Sequence, residues 1–439
     1  MNRALILLLI IFLQANLAFA QKNFSIIRDD EIESSIEKLI EPLFRAASIN
    51  PSSMRVVIVD DPTINAFVAN QTMVFIHSGL LLKFYDDPDM VMGVVAHELG
   101  HILGGHLAKL DTRYRNIATN SVASAVILGA IGLAMSAPEL AMAGISGSMH
   151  IGKQSMLSYS RQQEQSADKI AVELLEKSKN SPIGLKKTMD YFRQADASLY
   201  GKINPYSITH PMPAERLQFI TGYMEKTKYP HSMIPSNIKN QYIRAMVKLS
   251  AFLEPTRPIL SSKSQDDYIY AKSIINFRTN HKNEAIKLID QLIHKEPENP
   301  YFYELKSQVL FENGLVIESL EQYQKAYSLR GSNLISYEYA SALIEAVDMG
   351  KLTKSKLDKS IELLKKTNKQ GDIPLENLDQ LARAYGKKGK VGMANYYLAK
   401  MYLLLGDDKK STRFAKIASK QLPKSDPYYL KSMDMIKED

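Results

Sequence analysis

The chain has 439 residues, enough for two or three domains that each bury a hydrophobic core. It contains no cysteine, which excludes disulfides, thiol catalysis and zinc–thiolate sites. The formal net charge of +8 would suit nucleic-acid binding, but the basic residues are spread along the chain and alternate with acidic ones toward the C-terminus. We therefore interpret the charge as a solvated surface and expect no nucleic-acid partner; attraction to an anionic membrane surface is the alternative.

The first 20 residues have the pattern of a secretory signal peptide. Arg3 provides the positive start, residues 4–13 form an apolar core that is short for a membrane span, and Ala18-Phe19-Ala20 is a small-x-small cleavage site. Cleavage there makes Gln21 the first residue. We expect an exported protein in a bacterial periplasm; an N-terminal membrane anchor is the alternative.

Hydrophobic periodicity predicts the next elements. Apolar residues recur at helical spacing over residues 31–48, and residues 53–59 form a short β-branched strand. Residues 65–68 and 72–76 have the pattern of a β-hairpin. A strand near a metal site can accept an extended peptide by adding it to the sheet, although an ordinary hairpin explains these residues equally well.

The sequence from His97 to His101, His-Glu-Leu-Gly-His, matches the H-E-x-x-H pattern. On a helix, positions i and i+4 share one face, so both imidazoles can bind one metal ion while Glu98 lies beside it. Imidazole suits Zn²⁺, and a neighbouring carboxylate can take the proton of an attacking water. The pattern is typical of the zinc-protease helix; a helix with two ordinary histidines is the alternative.

Two features around this motif favour a buried active-site helix. An apolar run over residues 90–96 precedes the motif. Gly100 lies between the two histidines, where glycine destabilises a helix by roughly 1 kcal/mol. We therefore expect a close approach of another element at Gly100.

A zinc protease needs a third protein ligand. A histidine ten residues after His97 would indicate a metzincin, but that position is Leu107 and His106 falls one residue short. We interpret His106 as a packing residue or as a partner of a ligand. Glu164 can supply the third ligand from a second predicted helix, and Asp168, four residues on, can accept the free N–H of a ligand histidine. Such an acidic pair is otherwise typical of a solvated helix surface.

Three motifs occur in order: His97-Glu98-x-x-His101, then Ser160-Arg161-x-x-Glu164-x-x-Ala167-Asp168, then Thr209-His210-Pro211 with Arg216. Together with the strand pair of residues 65–81, they resemble the CAAX-prenyl-endopeptidase/HtpX-like zinc metallopeptidases over about residues 30–225. The resemblance implies that Glu164 is the third ligand of one zinc ion per chain and that Glu98 is the general base. It also implies that His210 and Arg216 face the metal and steady the oxyanion. In soluble periplasmic members, the histidine that matches His210 can cap the zinc in a resting state.

An apolar insertion separates the two motif helices. Residues 121–137 contain no charged residue, and residues 140–149 continue small and apolar after Pro138-Glu139. Seventeen residues are at the short limit for a membrane span. We favour two helices that cover the active site or touch the membrane surface; a buried packing hairpin and a true span are the alternatives.

Beyond Ser264 the sequence repeats with an offset of 34 residues, the tetratricopeptide period. Degenerate copies cover residues 337–367 and 378–405, and a capping helix is expected over residues 411–422. Such helix pairs stack into a concave surface that binds peptides or proteins, whereas an unspecific helical bundle is the alternative. The matching segments are Ala271-Lys272-Ser273 with Leu305-Lys306-Ser307, Phe277 with Phe311, and Glu284-Ala285 with Glu318-Ser319.

The prediction is an α+β fold: a mainly helical zincin-type metalloprotease domain with a small β-sheet, followed by an all-α tetratricopeptide-repeat solenoid. After the signal peptide, the predicted boundaries are residues 21–230, 231–262 for a connecting helix, and 263–439 for the repeats. We expect an exported zinc endopeptidase. The family resemblance implies that its clients are unfolded or misassembled outer-membrane proteins, engaged through the repeats near the barrel-assembly machinery. The alternatives are a periplasmic chaperone or adaptor with little protease activity, and a membrane-associated protease of membrane proteins.

Overall fold

The computed structural model describes residues 25–53, 55–69, 73–106, 159–198, 205–211, 214–256, 258, 264–366 and 373–436. The predicted signal peptide and the apolar insertion of residues 121–149 lie outside these described residues. Within the described residues, no helix combines the length and the apolar character needed to cross a membrane.

A four-stranded sheet forms the β part of the fold, with the strand order β1-β2-β4-β3. β3 and β4 form the predicted antiparallel hairpin, in which Phe67 lies opposite Phe75, and β4 pairs in parallel with β2. β3 is therefore an edge strand of the sheet that the described residues form. The strand bounds are β1 (Ile26–Ile27), β2 (Arg55–Val59), β3 (Ala66–Ala69) and β4 (Met73–His77).

Eight α-helices of the described residues accompany this sheet and share one hydrophobic core with it. The first begins after Asp29, whose side chain accepts a hydrogen bond from the Ile32 N–H, and its predicted position is confirmed to within two residues. The eight are α1 (Asp30–Ala46), α2 (Ser78–Lys83), α3 (Pro88–Leu103), α4 (Arg161–Lys177), α5 (Ile183–Ser198), α6 (Pro205–Thr209), α7 (Ala214–Met224) and α8 (Ser236–Leu253); a short 3₁₀ helix spans Pro51–Ser53.

The described residues from 264 onward form ten further α-helices, each packed on its neighbour. Asn280 and Gly314, 34 residues apart, both have a left-handed backbone (φ 64° and 78°) in the turn between two paired helices. The predicted α+β class with a helical repeat region is confirmed. The ten are α9 (Gln265–Arg278), α10 (Lys282–Lys295), α11 (Pro300–Glu312), α12 (Val316–Leu329), α13 (Asn333–Asp348), α14 (Leu357–Leu364), α15 (Leu375–Lys387), α16 (Val391–Leu404), α17 (Asp408–Gln421) and α18 (Pro427–Met433); a 3₁₀ turn spans Lys354–Lys356.

Charged residues join the start of α1 to the repeats. The Lys248 ammonium of α8 is 1% exposed and lies 2.8 Å from Asp29 Oδ2 and 3.1 Å from Glu304 Oε2 in α11. Glu31 Oε2 lies 3.4 Å from the same ammonium and accepts a hydrogen bond from the Tyr270 hydroxyl over 2.6 Å. This buried ion cluster therefore holds the two parts of the chain together in addition to the connecting helix α8. Further ion pairs across the boundary are Arg28–Glu376 and Arg330–Asp30.

Candidate metal centre

Helix α3 carries the H-E-x-x-H motif and is buried over the whole motif. Two glycines let other helices approach its backbone. A Cβ at Gly93 would lie 2.4 Å from the backbone nitrogen of Leu185 in α5, and a Cβ at Gly100 would lie 2.4 Å from the carbonyl oxygen of Ala167 in α4. The close approach predicted at Gly100 is confirmed, and it brings α4 directly against the two motif histidines.

Helix α4 starts with a capping box that fixes its first turn. The Ser160 hydroxyl accepts a hydrogen bond from the Gln163 N–H, and the Gln163 side chain accepts one from the Ser160 N–H. From this start, Glu164 and Asp168 fall on the buried side of α4, the side that packs on α3.

The two carboxylates of α4 contact the two motif histidines. Glu164 Oε2 lies 3.3 Å from His97 Nε2, and Glu164 Oε1 lies 3.3 Å from His101 Nε2. Asp168 Oδ1 lies 2.9 Å from His97 Nδ1, on the far side of the ring. This contact fixes the orientation of the His97 ring and leaves Nε2 for a metal ion.

Four ligand atoms converge in this site. One from each of His97, His101, Glu164 and His210 lies within 4.8 Å of the others, and all four side chains are buried. His97 Nε2 is 3.0 Å from His101 Nε2 and 3.3 Å from His210 Nδ1, which is 3.1 Å from Glu164 Oε1. Donors that each lie about 2.0–2.1 Å from a tetrahedral zinc ion are about 3.3 Å apart. The spacing and the nitrogen–carboxylate chemistry of these donors therefore fit zinc.

Glu98 lies beside the donors without being one of them. Its side chain is fully buried, and neither oxygen has a hydrogen-bond partner among the described residues. Oε1 lies 3.4 Å from His210 Nε2. Burial raises the pKa of the Glu98 carboxyl, against the opposite effect of His210 and His97. A buried carboxylate in this position can exchange a proton with a molecule bound at the metal.

The Arg216 guanidinium is 1% exposed and binds both carboxylates of α4. Nε lies 2.6 Å from Asp168 Oδ2, Nη2 lies 2.8 Å from Asp168 Oδ1, and Nη1 lies 2.5 Å from Glu164 Oε2. Nη1 also donates to the Pro211 carbonyl over 2.9 Å, which ties the loop after His210 to the site. These contacts favour a positioning role for Arg216 over direct contact with an oxyanion.

Burial and neighbouring charged groups shift the pKa values of the donors. Burial lowers the pKa of His97, but Glu164 and Asp168 outweigh that effect and raise it to about 9. Burial holds the pKa of His101 well below its usual range. The pKa of the Glu164 carboxyl is lowered by His210 and Arg216 although burial alone would raise it. To hold a metal ion, His97 would have to release its proton, whereas the Glu164 carboxyl would already be ionised.

Two tyrosines that sequence reasoning missed pack on His101 and His210, two of the candidate donors. Tyr159 stacks on His101 with 3.7 Å between ring centroids, and Tyr206 stacks on His210 with 4.5 Å. The spacing of four residues between Tyr206 and His210 could have indicated their contact. Tyr159 precedes the cap of α4 and carries no comparable signal. Both contacts restrict rotation of the imidazole rings.

Comparison with known proteins supports the interpretation of this centre. Residues 27–224 match peptidase family M48. This domain belongs to family M48. The family predicted from the three motifs is thereby confirmed. M48 metalloproteases use zinc, which the four donors of the M48 domain fit.

Similarity to two bacterial proteins extends beyond the M48 domain. The chain is 24% identical over 333 residues to the beta-barrel assembly-enhancing protease of Escherichia coli K12, covering 73% of this chain and 66% of the relative. It is 25% identical over 313 residues to a putative beta-barrel assembly-enhancing protease of Vibrio cholerae, covering 68% and 63%. Mitochondrial metalloendopeptidase OMA1 of Schizosaccharomyces pombe is 22% identical over 219 residues, covering 50% and 59%. The chain thus spans about two thirds of the length of the two bacterial relatives.

Proposed function

We propose that the chain is a zinc-dependent endopeptidase of the bacterial envelope. The observation that carries this proposal is the position of Glu98, a buried carboxylate without a hydrogen-bond partner among the described residues, beside four metal donors. A purely structural metal site has no need of such a base. The arrangement therefore favours an enzyme over a chaperone or adaptor with a structural zinc ion.

Glu98 performs the proton transfers in the proposed reaction. His97, His101 and Glu164 would hold the zinc in the uncapped state, and the bound metal would supply Lewis-acid chemistry at the scissile carbonyl. Glu98 takes a proton from the attacking water and passes it to the leaving amine, and its raised pKa brings it closer to neutral pH than that of an exposed glutamate. Asp168 and Arg216 hold His97 and Glu164 in position during these transfers.

His210 is proposed to cap the centre in a resting state. With His210 Nδ1 among the donors, the centre has four protein ligands, whereas a catalytic zinc site keeps one position for water or substrate. His210→Ala is therefore expected to retain zinc on the three other ligands and to cleave casein faster. If the capped form makes up about 90% of the molecules, the increase is about tenfold.

Initial rates of casein cleavage at matched zinc content test this cap. The control is His231→Ala, which removes an exposed histidine and is expected to leave the rate unchanged. Slower cleavage by His210→Ala at full zinc content would contradict the cap and favour a role for His210 at the oxyanion.

The edge strand β3 is the proposed binding site for the substrate backbone. β3 contacts α3, the helix that carries Glu98. An extended peptide added to this edge is recognised through its main chain, so that binding depends little on sequence. Proteins with unpaired strand edges are suitable substrates for such a site.

We propose unfolded or misassembled outer-membrane β-barrel proteins as the clients. Two similar proteins are named beta-barrel assembly-enhancing proteases, one of them putatively, and barrel precursors expose strand edges of the kind that β3 would accept. The helical repeats, proposed to be tetratricopeptide repeats, offer an extended surface for the client or for the barrel-assembly machinery. The predicted signal peptide supports a periplasmic location. We also propose that the protein contacts the membrane surface.

One barrel protein presented in two states tests the proposed substrate class. The mature chain, residues 21–439, is incubated with the barrel protein either unfolded or folded in detergent, and the loss of intact barrel is followed on gels. Cleavage of the unfolded form alone is expected, together with binding without cleavage by Glu98→Gln. Equal cleavage of both forms would contradict the substrate class. If the wild type cuts no unfolded protein while Glu98→Gln still prevents aggregation of the barrel protein, the chaperone alternative is supported.

A further inference from the structure

We infer that His106 is a positioning residue that orients His101 for metal binding. The inference rests on the proposed zinc site and assigns a role to a histidine outside the four donors. His106 Nδ1 lies 3.0 Å from His101 Nδ1, and both side chains are buried, with 2% and 0% exposure. The two rings meet edge to face, with 5.1 Å between centroids and 72° between planes.

The direction of this hydrogen bond follows from the position of the donors. His101 Nε2 faces the other ligand atoms, 3.0 Å from His97 Nε2, so Nδ1 is the nitrogen that points away from the metal position. A neutral imidazole that binds a metal through Nε2 carries its proton on Nδ1. His101 Nδ1–H therefore donates, and His106 Nδ1 accepts. This contact fixes both the tautomer and the ring orientation of His101.

Two glycines that follow α3 allow the chain to place His106 next to His101. A Cβ at Gly104 would lie 2.5 Å from His106 Nε2, so that any larger residue would collide with the imidazole ring. Gly105 has φ 65°, a left-handed conformation that turns the chain back toward the helix, and its N–H donates to the Ile102 carbonyl over 3.0 Å. The turn Gly104-Gly105-His106 thus places the His106 side chain against His101, the last proposed ligand of α3.

The Nδ1–H groups of His97 and His101 therefore donate hydrogen bonds to two different acceptors. Asp168 Oδ1 lies 2.9 Å from His97 Nδ1, as His106 Nδ1 lies 3.0 Å from His101 Nδ1. The acceptor for His97 comes from α4, whereas the acceptor for His101 comes from the turn that directly follows α3. The His101 contact can therefore form without the packing of a second helix.

Zinc affinity of the mature full-length chain tests this role without depending on proteolysis. The dissociation constant is measured at one pH by competition with a chelating indicator for the wild type and three variants. His106→Ala is expected to bind zinc about 10–100-fold more weakly, the effect typical of removing a hydrogen-bond partner of a ligand. His106→Asn, whose amide oxygen can occupy the position of Nδ1, is expected to restore most of the affinity. His294→Ala removes an exposed histidine in the repeats and is expected to bind as the wild type.

The comparison of Ala and Asn separates hydrogen bonding from packing. Thermal unfolding of the metal-free proteins is measured in parallel, because a packing role lowers the midpoint of both variants alike. Wild-type affinity in His106→Ala, or equal losses in the Ala and Asn variants, would overturn the inference. If the wild type binds zinc but never cleaves a substrate, the proposed function is wrong. The comparison of zinc affinities still tests the role of His106 in that case. A wild type that binds no zinc overturns both.

Discussion

Replacing Glu98 by glutamine is expected to abolish casein cleavage while zinc stays bound. Glu98 is not one of the four donors, and glutamine keeps the size of the side chain, so the metal centre remains intact. Glutamine cannot accept the proton of the attacking water at neutral pH. The loss of a general base lowers rates by roughly 10²–10⁴-fold. The measurements are the initial rate of cleavage and the zinc content of the same preparation.

Two variants of helix α4 are compared with Glu98→Gln for zinc content and activity. Glu164→Gln changes a proposed ligand and is expected to bind zinc more weakly and to lose activity, since the amide is a weak zinc ligand. Glu173→Gln changes an exposed glutamate of the same helix and is expected to retain both. Cleavage by Glu98→Gln at a rate close to that of Glu173→Gln would contradict the assignment of Glu98 as the base.

Replacing Lys248 by methionine is expected to lower the free energy of unfolding by about 3–5 kcal/mol at pH 8. The ammonium is 1% exposed and lies among the carboxylates of Asp29, Glu31 and Glu304. Its removal leaves negative charges buried together without a cation. The measurement is urea-induced unfolding followed by circular dichroism.

The loss caused by Lys248→Met is expected to shrink as the pH falls from 8 to 5. Burial raises the pKa of Glu304 to about 7 in spite of the neighbouring ammonium of Lys248, and burial also raises the pKa of Glu31. An acid with a raised folded-state pKa stabilises the fold at low pH, and this contribution is lost as the pH rises through the folded-state value. Protonated carboxyl groups need no cation, so that methionine is tolerated better at pH 5.

An exposed ion pair provides the control for Lys248. Lys187 lies 2.7 Å from Asp87 with 48% of its side chain exposed, and Lys187→Met is expected to change the free energy of unfolding by at most about 1 kcal/mol. Adding Glu304→Gln to Lys248→Met is expected to recover part of the loss, because one buried negative charge is removed. A loss in Lys248→Met no larger than that in Lys187→Met would show that the buried cluster does not hold the two parts together.

Local patterns made much of the fold predictable. The contact between His97 and His101 follows from helical spacing alone, and the hairpin of β3 and β4 follows from two short apolar runs separated by polar residues. The 34-residue offset places Ser273 and Ser307 at equivalent positions, and both are fully buried. Each of these predictions depends on residues that are close in the chain or repeat at a fixed period.

Contacts between distant residues were not predictable from these patterns. The pairing of Arg216 with Asp168 joins positions 48 residues apart, and the stacking of Tyr159 on His101 joins a loop to a helix. The ion cluster around Lys248 combines two carboxylates at the start of α1 with one charge each from α8 and α11. In the sequence, each of these residues looks like an ordinary solvent-exposed charge. Their roles depend on burial, which is decided only when the helices pack.

The zinc content of the purified mature chain tests the central claim most directly. The protein is dialysed against metal-free buffer, and its metals are quantified by mass spectrometry beside those of a His97→Ala/His101→Ala variant. One zinc ion per wild-type chain and none in the variant is the predicted result, since these imidazoles are two of the four converging donors. A wild type without zinc, or a variant that retains as much zinc as the wild type, would contradict the metal centre described for this protein.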